Sequence, residues 1–107
     1  SSTNGIDKYF PMCLDYDASK AGVISLTHNL ALQLKPYINV NCIAPGWIAT
    51  ENELKDVDLD YIKSEEEKIF VGRIGKPEEV ASLALFLASK EADYINNEII
   101  KIDGGMY

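Results

Sequence analysis

Two side chains that could move a proton, Tyr16 and Lys20, stand at the start of a largely apolar run. On an α-helix, residues four apart project from the same face, one turn from each other. A lysine ammonium close to a phenol favours the phenolate, so such a tyrosine can give or take a proton near neutral pH. The pair therefore predicts a general acid or base.

These residues open one of several elements that alternate along the chain. We predict a helix from about Tyr16 to Leu34, which Lys35-Pro36 would end. The other segments are predicted as a strand at 38–44, a charged and weakly helical stretch at 51–71, a helix from Pro77 to near Ser89, and a strand at 97–102. This alternation is typical of an α/β fold with a parallel sheet.

The first predicted helix is apolar nearly all round. Leu26, Leu30 and Leu34 form one stripe, and further apolar residues are spread over the other faces. A helix of this kind must be buried on all sides. One side can pack on the sheet, and the other needs a second copy of the chain or another part of the protein.

Composition narrows the classes of function. The net charge of −7, without a cluster of Lys and Arg, argues against a nucleic-acid-binding surface. No apolar stretch reaches the ~20 residues that a membrane span needs. The two cysteines, Cys13 and Cys42, form no metal-ligand pattern with the single His28, so we expect no metal site and read them as reduced thiols of a cytoplasmic protein.

Several segments resemble, in order and spacing, the catalytic half of the short-chain dehydrogenase/reductase family. The segments are Ser1–Gly5, Tyr16–Lys20 (YDASK), Asn41–Thr50 (NCIAPGWIAT), Gly72–Ala81 (GRIGKPEEVA) and Asp103–Tyr107 (DGGMY). The last of them, with the helix before it, is most similar to 3-oxoacyl-[acyl-carrier-protein] reductases. Each motif alone is weak, but their shared order makes the resemblance specific.

The resemblance implies the C-terminal half of a Rossmann-type, doubly wound parallel sheet. The family's Gly-rich, pyrophosphate-binding turn is absent from these 107 residues. We therefore expect residues 1–107 to be the C-terminal catalytic half of a single Rossmann-fold domain, with the dinucleotide-binding half elsewhere, and expect no catalysis from this half alone. Residues 51–71 would form the substrate lid.

The resemblance also implies roles for individual residues. Tyr16 would protonate a substrate carbonyl oxygen, and Lys20 would support it while hydrogen-bonding the cofactor's ribose hydroxyls. Ser2 would hold the carbonyl by its hydroxyl. Thr3 fits the usual spacing to the tyrosine better, but Ser2 keeps the pattern at the end of the family's strand, and we prefer it.

A second group of residues would hold the nicotinamide. Pro45, Gly46, Ile48 and Thr50 match the family segment that grips the carboxamide, where Gly46 would allow close approach and Ile48 would offer its backbone. The cofactor implied is NADP, with NAD possible, because the residues that read the ribose 2′ position lie in the other half.

The implied function is reduction of a ketone to a secondary alcohol by a nicotinamide-dependent oxidoreductase. The preferred substrate is a 3-oxoacyl thioester, small or carrier-bound, as in fatty acid synthesis. Sugar, polyol or steroid alcohols, or a non-catalytic dimerising fragment, are the alternatives. Family resemblance further implies a homo-oligomer, a tetramer formed through the helix at 16–34 and the C-terminal segment.

Overall fold

The structure is a computed structural model that describes residues 14–50 and 58–106. In these residues, helices and strands alternate along the chain as the sequence predicts. The elements are helix α1 (Leu14–Leu34), strand β1 (Cys42–Pro45), helix α2 (Leu59–Glu66), helix α3 (Pro77–Leu87), a 3₁₀ turn (Lys90–Ala92) and strand β2 (Ile99–Ile102).

The two strands form a parallel pair, which confirms the predicted sheet type. Cys42 pairs with Ile99 at one end, and Pro45 pairs with Ile102 at the other. Since parallel neighbours need a crossover connection, the chain between them has to leave the sheet and return, and α3 lies in that crossover. Both strands therefore end at the same edge of the sheet.

Strand β1 is shorter than predicted, because before it asparagine side chains share the pairing with backbone bonds such as that from the N–H of Asn97 to the carbonyl of Val40 (2.8 Å). The predicted strand at 38–44 is wrong in its bounds. The Asn96 side chain accepts from the N–H of Val40 (2.8 Å). The Asn41 side chain accepts from the N–H of Glu98 (3.0 Å) and donates to the carbonyl of Ile95 (3.0 Å). Asparagine amides mimic backbone groups in this way, so the segments are joined before regular pairing begins.

The two long helices follow their sequence signals closely. Helix α1 begins at Leu14, two residues before the predicted start, and ends at Leu34 as expected. Helix α3 has Pro77 in its first turn, where the missing N–H costs nothing, and it ends at Leu87 rather than near Ser89.

Helix α1 is buried along a narrow face only. Thr27 and Ala31 are buried, and His28 contacts the side chain of Asn97 beside β2. Leu26 and Leu32 remain more than half exposed. The described residues thus leave apolar surface on this helix, as the sequence pattern indicates.

The buried core of the described residues is small, and it includes Ala31 of α1 and Ala92 of the 3₁₀ turn. It contains Cys42 and Ala44 of β1 together with Ile69 and Ile74, which precede α3. Among the described residues, none of the helices has the length and apolar character needed to cross a membrane.

Candidate active site

Tyr16 and Lys20 lie side by side on α1, as their spacing predicts. The Lys20 ammonium is 5.2 Å from the centroid of the Tyr16 ring, and the Tyr16 side chain is 46% exposed. Asp17, Thr27 and Ala31 form the buried face of the same helix. Tyr16 stands at the edge of that face, so its hydroxyl is within reach of a ligand while the helix fixes its position.

The residues predicted to hold the nicotinamide lie in the turn that follows β1, where pairing with β2 continues. The N–H of Gly46 donates to the carbonyl of Ile102 (3.0 Å), which extends the strand pairing past Pro45. A Cβ on Gly46 would lie 2.6 Å from the Cβ of Asp103. The absent side chain therefore makes room for the chain that follows β2, a packing reason for glycine that is separate from its predicted role at the cofactor.

The backbone around Ile48 is clamped from one side by Gly75. The N–H of Gly75 donates to the carbonyl of Trp47 (3.0 Å), and the N–H of Ala49 donates to the carbonyl of Gly75 (2.8 Å). A Cβ on Gly75 would lie 2.9 Å from the Ile48 side chain, so the two segments meet closely. In such a bridge, the N–H and C=O of Ile48 itself lie on the side away from Gly75.

This arrangement fits a primary amide such as the nicotinamide carboxamide. The carbonyl of Ile48 accepts from the N–H of Thr50 (2.9 Å) and retains a second lone pair, while the N–H of Ile48 has no hydrogen-bond partner among residues 14–50 and 58–106. One donor and one acceptor are thus presented by a single residue. Thr50, two residues after Ile48, is exposed.

An ion pair holds the loop that supports Gly75. Arg73 donates to both carboxylate oxygens of Glu79 (2.7 and 2.9 Å), and the N–H of Lys76 donates to one of them (3.0 Å). The Arg73 hydrogen bonds, helped by the Lys76 N–H, lower the pKa of Glu79 from 4.5 to about 2. The carboxylate therefore stays charged, and able to pair with Arg73, over most of the pH range.

A cleft of about 180 Å³ lies at the carboxyl ends of the two strands. Trp47, Ile48, Ile102 and Asp103 line it from the sheet, and Arg73 and further residues of the loop before α3 line it from above. Ligands of open α/β sheets bind outside this edge of the strands. The predicted cofactor turn thus stands where the fold places ligands.

The aromatic ring of Trp47 contacts that of Tyr61 in α2. Their centroids are 5.9 Å apart and the ring planes are inclined by 56°. This joins the turn after β1 to the described part of the predicted lid. The sequence pattern alone does not single out Tyr61 or Gly75; its only signals for them are an aromatic residue in a charged stretch and a glycine just before a helix.

The remaining predicted site residue, Ser2, lies outside the described residues, and its role stays a prediction. Within residues 14–50 and 58–106, no three His, Cys, Asp or Glu side chains are grouped so as to hold a metal ion. Tyr16 and Lys20 thus lie together on α1, and a backbone donor and acceptor lie together at Ile48 after β1.

Comparison with known proteins gives this arrangement its context. The sequence model of the family described as Enoyl-(Acyl carrier protein) reductase matches residues 1–107. A solved 3-oxoacyl-[acyl-carrier protein] reductase from Brucella melitensis superposes with a TM-score of 0.89 at 36% identity, over 100% of this chain and 40% of its own. The chain belongs to the short-chain dehydrogenase/reductase family.

Relatives within the short-chain dehydrogenase/reductase family carry several names. The 3-oxoacyl-[acyl-carrier-protein] reductase FabG of Aquifex aeolicus is 44% identical over 96 residues, which are 88% of this chain and 38% of that protein. Tropinone reductase-like 3 of Erythroxylum coca is 38% identical over 91 residues, 84% of this chain and 35% of that protein. The chain thus spans less than two fifths of the length of these two relatives.

A second Brucella melitensis 3-oxoacyl-[acyl-carrier protein] reductase has been solved with bound NAD. It superposes with a TM-score of 0.81 at 36% identity, over 100% of this chain and 38% of its own. Short-chain dehydrogenases/reductases with nicotinamide cofactors are therefore among the structures that this chain matches over its full length.

Proposed function

We propose that residues 1–107 are the catalytic, C-terminal half of a Rossmann-fold domain that reduces a ketone to a secondary alcohol with NAD(P)H. The observation that carries this proposal is the Lys20 ammonium 5.2 Å from the Tyr16 ring centroid, on one face of a helix in a chain of this family. A helix-mounted phenol and ammonium form a proton-transfer pair whose geometry does not depend on a loop.

Each residue has a separate task in this proposal. Tyr16 gives its phenolic proton to the carbonyl oxygen as the carbonyl carbon is reduced, and takes it back in the reverse direction. Lys20 places a positive charge beside the ring of Tyr16 and reaches the cofactor's ribose hydroxyls. Ser2 donates a hydrogen bond to the same carbonyl oxygen and orients it. The nicotinamide, when bound, supplies or accepts the hydride.

The cofactor site proposed is the turn after β1. Ile48 offers a backbone donor and acceptor to the carboxamide, Pro45 and Gly46 set the course of the turn, and Thr50 stands beside it. NADP is the cofactor we propose, with NAD as the alternative. The proposal is supported by the open N–H of Ile48 among the described residues and by the NAD-bound neighbour.

The substrate proposed first is a 3-oxoacyl thioester, free or on an acyl carrier protein, because reductases with that name are similar to most of this chain. A small uncharged or basic ketone is the second candidate. One observation favours it: α2 and its flanks carry more acids than bases, and Lys68 is already paired with Glu65 (3.1 Å). An acidic carrier would find little positive charge on this segment.

We also propose that the protein works as a homo-oligomer, a tetramer formed through α1 and the C-terminal segment. The exposed side chains of Val23, Leu26 and Leu32 support this proposal. Exposed apolar residues on a helix are a common contact between identical subunits.

The deciding experiment is Tyr16→Phe in the full-length protein that carries this chain. We expect turnover of a 3-oxoacyl thioester to fall by about 10²–10⁴-fold, the usual contribution of a positioned general acid. The control is Tyr37→Phe, which removes a hydroxyl from a side chain that is 90% exposed. Circular dichroism should show that both variants fold. Unchanged turnover in Tyr16→Phe, with NAD(P)H consumption intact, would rule out this mechanism.

A further inference from the structure

The contact between Trp47 and Tyr61 joins helix α2 to the turn after β1, in addition to the backbone bonds that hold Phe70 and Val71, just past α2, to Gly105 and Gly104. A centroid distance of 5.9 Å and an inclination of 56° lie within the range that aromatic pairs favour. Tyr61 is 50% exposed and Trp47 is half-buried. The ring of Tyr61 thus rests on Trp47 from the solvent side.

Helix α2 has few other attachments. None of its residues is buried. Its hydrogen bonds and ion pair among the described residues are local in sequence: Asp58 caps the N–H of Asp60, Ser64 bonds the carbonyl of Tyr61, and Glu65 pairs with Lys68. A segment with so few tertiary contacts opens at little cost in free energy.

Trp47, in contrast, stands on a fixed backbone. Its carbonyl accepts from the N–H of Gly75, and Ile48 beside it is bridged to the same residue. The ring contact therefore connects a weakly held helix to the turn where we place the cofactor.

We propose that Tyr61 is a positioning residue for the reduction. By packing on Trp47, it holds α2 beside the turn at Ile48, and we call this arrangement the seated state of α2. This inference rests on the proposed function, since it takes α2 as a wall of the substrate site. Substrate then binds to molecules in which α2 is already seated. Loss of the ring lowers the seated fraction and weakens apparent substrate binding by the same factor.

The central test compares Tyr61→Ala with the wild type in the full-length protein. An aromatic pair of ordinary strength corresponds to about a two- to twelvefold change in an equilibrium, so we expect the substrate KM to rise within that range. We expect kcat to change less than about twofold, because saturating substrate restores the seated state and Tyr16 and Lys20 are untouched. Tyr61→Phe, which keeps the ring, should restore the KM.

Tryptophan emission provides a readout that does not depend on activity. Trp47 is the only tryptophan among the 107 residues, and Trp47→Phe allows the emission of any tryptophan elsewhere in the protein to be subtracted. Tyr61→Ala should shift the Trp47 emission to longer wavelength, because it exposes the indole. The matched control is Tyr94→Ala, which truncates a fully exposed tyrosine and should change neither emission nor KM.

The outcomes separate this inference from the proposed function. If the wild type reduces ketones but Tyr61→Ala has the KM and emission of Tyr94→Ala, the positioning role is wrong and the function stands. An equal loss in kcat with unchanged KM would also overturn it. If the wild type oxidises no NAD(P)H with any ketone, the proposed function fails and the positioning role fails with it, whatever the emission shows. Tyr61→Leu replaces Tyr61→Ala if the alanine variant does not fold.

Discussion

The turn after β1 and helix α2 touch through Trp47 and Tyr61, yet they are built differently. The turn is held by backbone hydrogen bonds to Ile102 and Gly75, and it excludes any side chain at Gly46. Helix α2 buries none of its residues. The region that we assign to the cofactor is thus preorganised, whereas the region that we assign to the substrate can move at little cost in free energy.

This difference suits a family whose members carry different names, 3-oxoacyl-[acyl-carrier-protein] reductase FabG and Tropinone reductase-like 3 among them. In the proposed function, Tyr16 and Lys20 have their relative positions fixed by α1, so the geometry proposed for proton transfer stays constant. A weakly held helix tolerates changes in sequence without disturbing that geometry. Variants that probe each region should therefore differ in the size of their effects on stability.

The largest effect on stability is expected at Gly46, because the turn after β1 has no space there for a side chain. In Gly46→Ala, the new Cβ would meet the Cβ of Asp103 at 2.6 Å and its Cα at 3.0 Å, and backbone cannot move away as a flexible side chain would. We expect the free energy of unfolding to fall by about 1–3 kcal/mol. Denaturant unfolding of the full-length protein measures it.

The control for this substitution is Gly22→Ala in α1. Within one copy of the chain a Cβ there meets nothing within 4 Å, so alanine should raise the stability of the dissociated subunit by about 0.5–1 kcal/mol through its helix propensity. If Gly46→Ala lowers the free energy of unfolding and Gly22→Ala raises it, the result supports a close contact between Gly46 and Asp103. Equal values would show that the contact with Asp103 is relaxed in solution.

A smaller, pH-dependent effect is expected at the ion pair that supports the turn. Arg73 and the Lys76 N–H lower the pKa of Glu79 from 4.5 to about 2. A lowered pKa means that the stabilisation is complete above the unfolded-state value and is lost as pH falls toward 2. Glu79→Gln should therefore melt at a lower temperature than the wild type at neutral pH, and the difference should shrink between pH 4.5 and about 2.

Glu78→Gln is the matched control, since Glu78 is in the same helical turn and makes no ion pair among the described residues. Its melting temperature at neutral pH should differ less from the wild type than that of Glu79→Gln. A Glu79→Gln effect that persists undiminished at the acid end would mean that the charge of Glu79 does not hold the loop.

The helices and the sheet type could be predicted because their signals are local. An apolar run before Lys35-Pro36 and a proline before two acids mark α1 and α3. The start of β1 was missed because Asn41 bonds Ile95 and Glu98 with its side chain, and such pairing depends on segments distant in sequence.

In the candidate site, too, local sequence signals predict one part, and the other part depends on contacts between distant segments. The spacing of Tyr16 and Lys20 fixes their proximity through helix geometry alone. The bridge between Ile48 and Gly75 and the ring contact of Tyr61 depend on how the crossover folds back, which no local pattern encodes. The sequence alone thus predicts the proposed proton-transfer pair, Tyr16 and Lys20. The tertiary structure is needed to find the residues that support the site, such as Gly75 and Tyr61.

The smallest effect on stability is expected from the ion pair between Lys68 and Glu65, at the end of the weakly held helix α2. Lys68→Ala removes the 3.1 Å contact with Glu65, and Lys68 is half exposed, so the free energy of unfolding should fall by no more than about 0.5 kcal/mol. Lys63→Ala, which removes a lysine of α2 without an ion pair among the described residues, is the control. Trp47 emission should stay unchanged in both. A loss above about 1 kcal/mol, or an emission shift in Lys68→Ala alone, would show that charge rather than the Tyr61 ring seats α2.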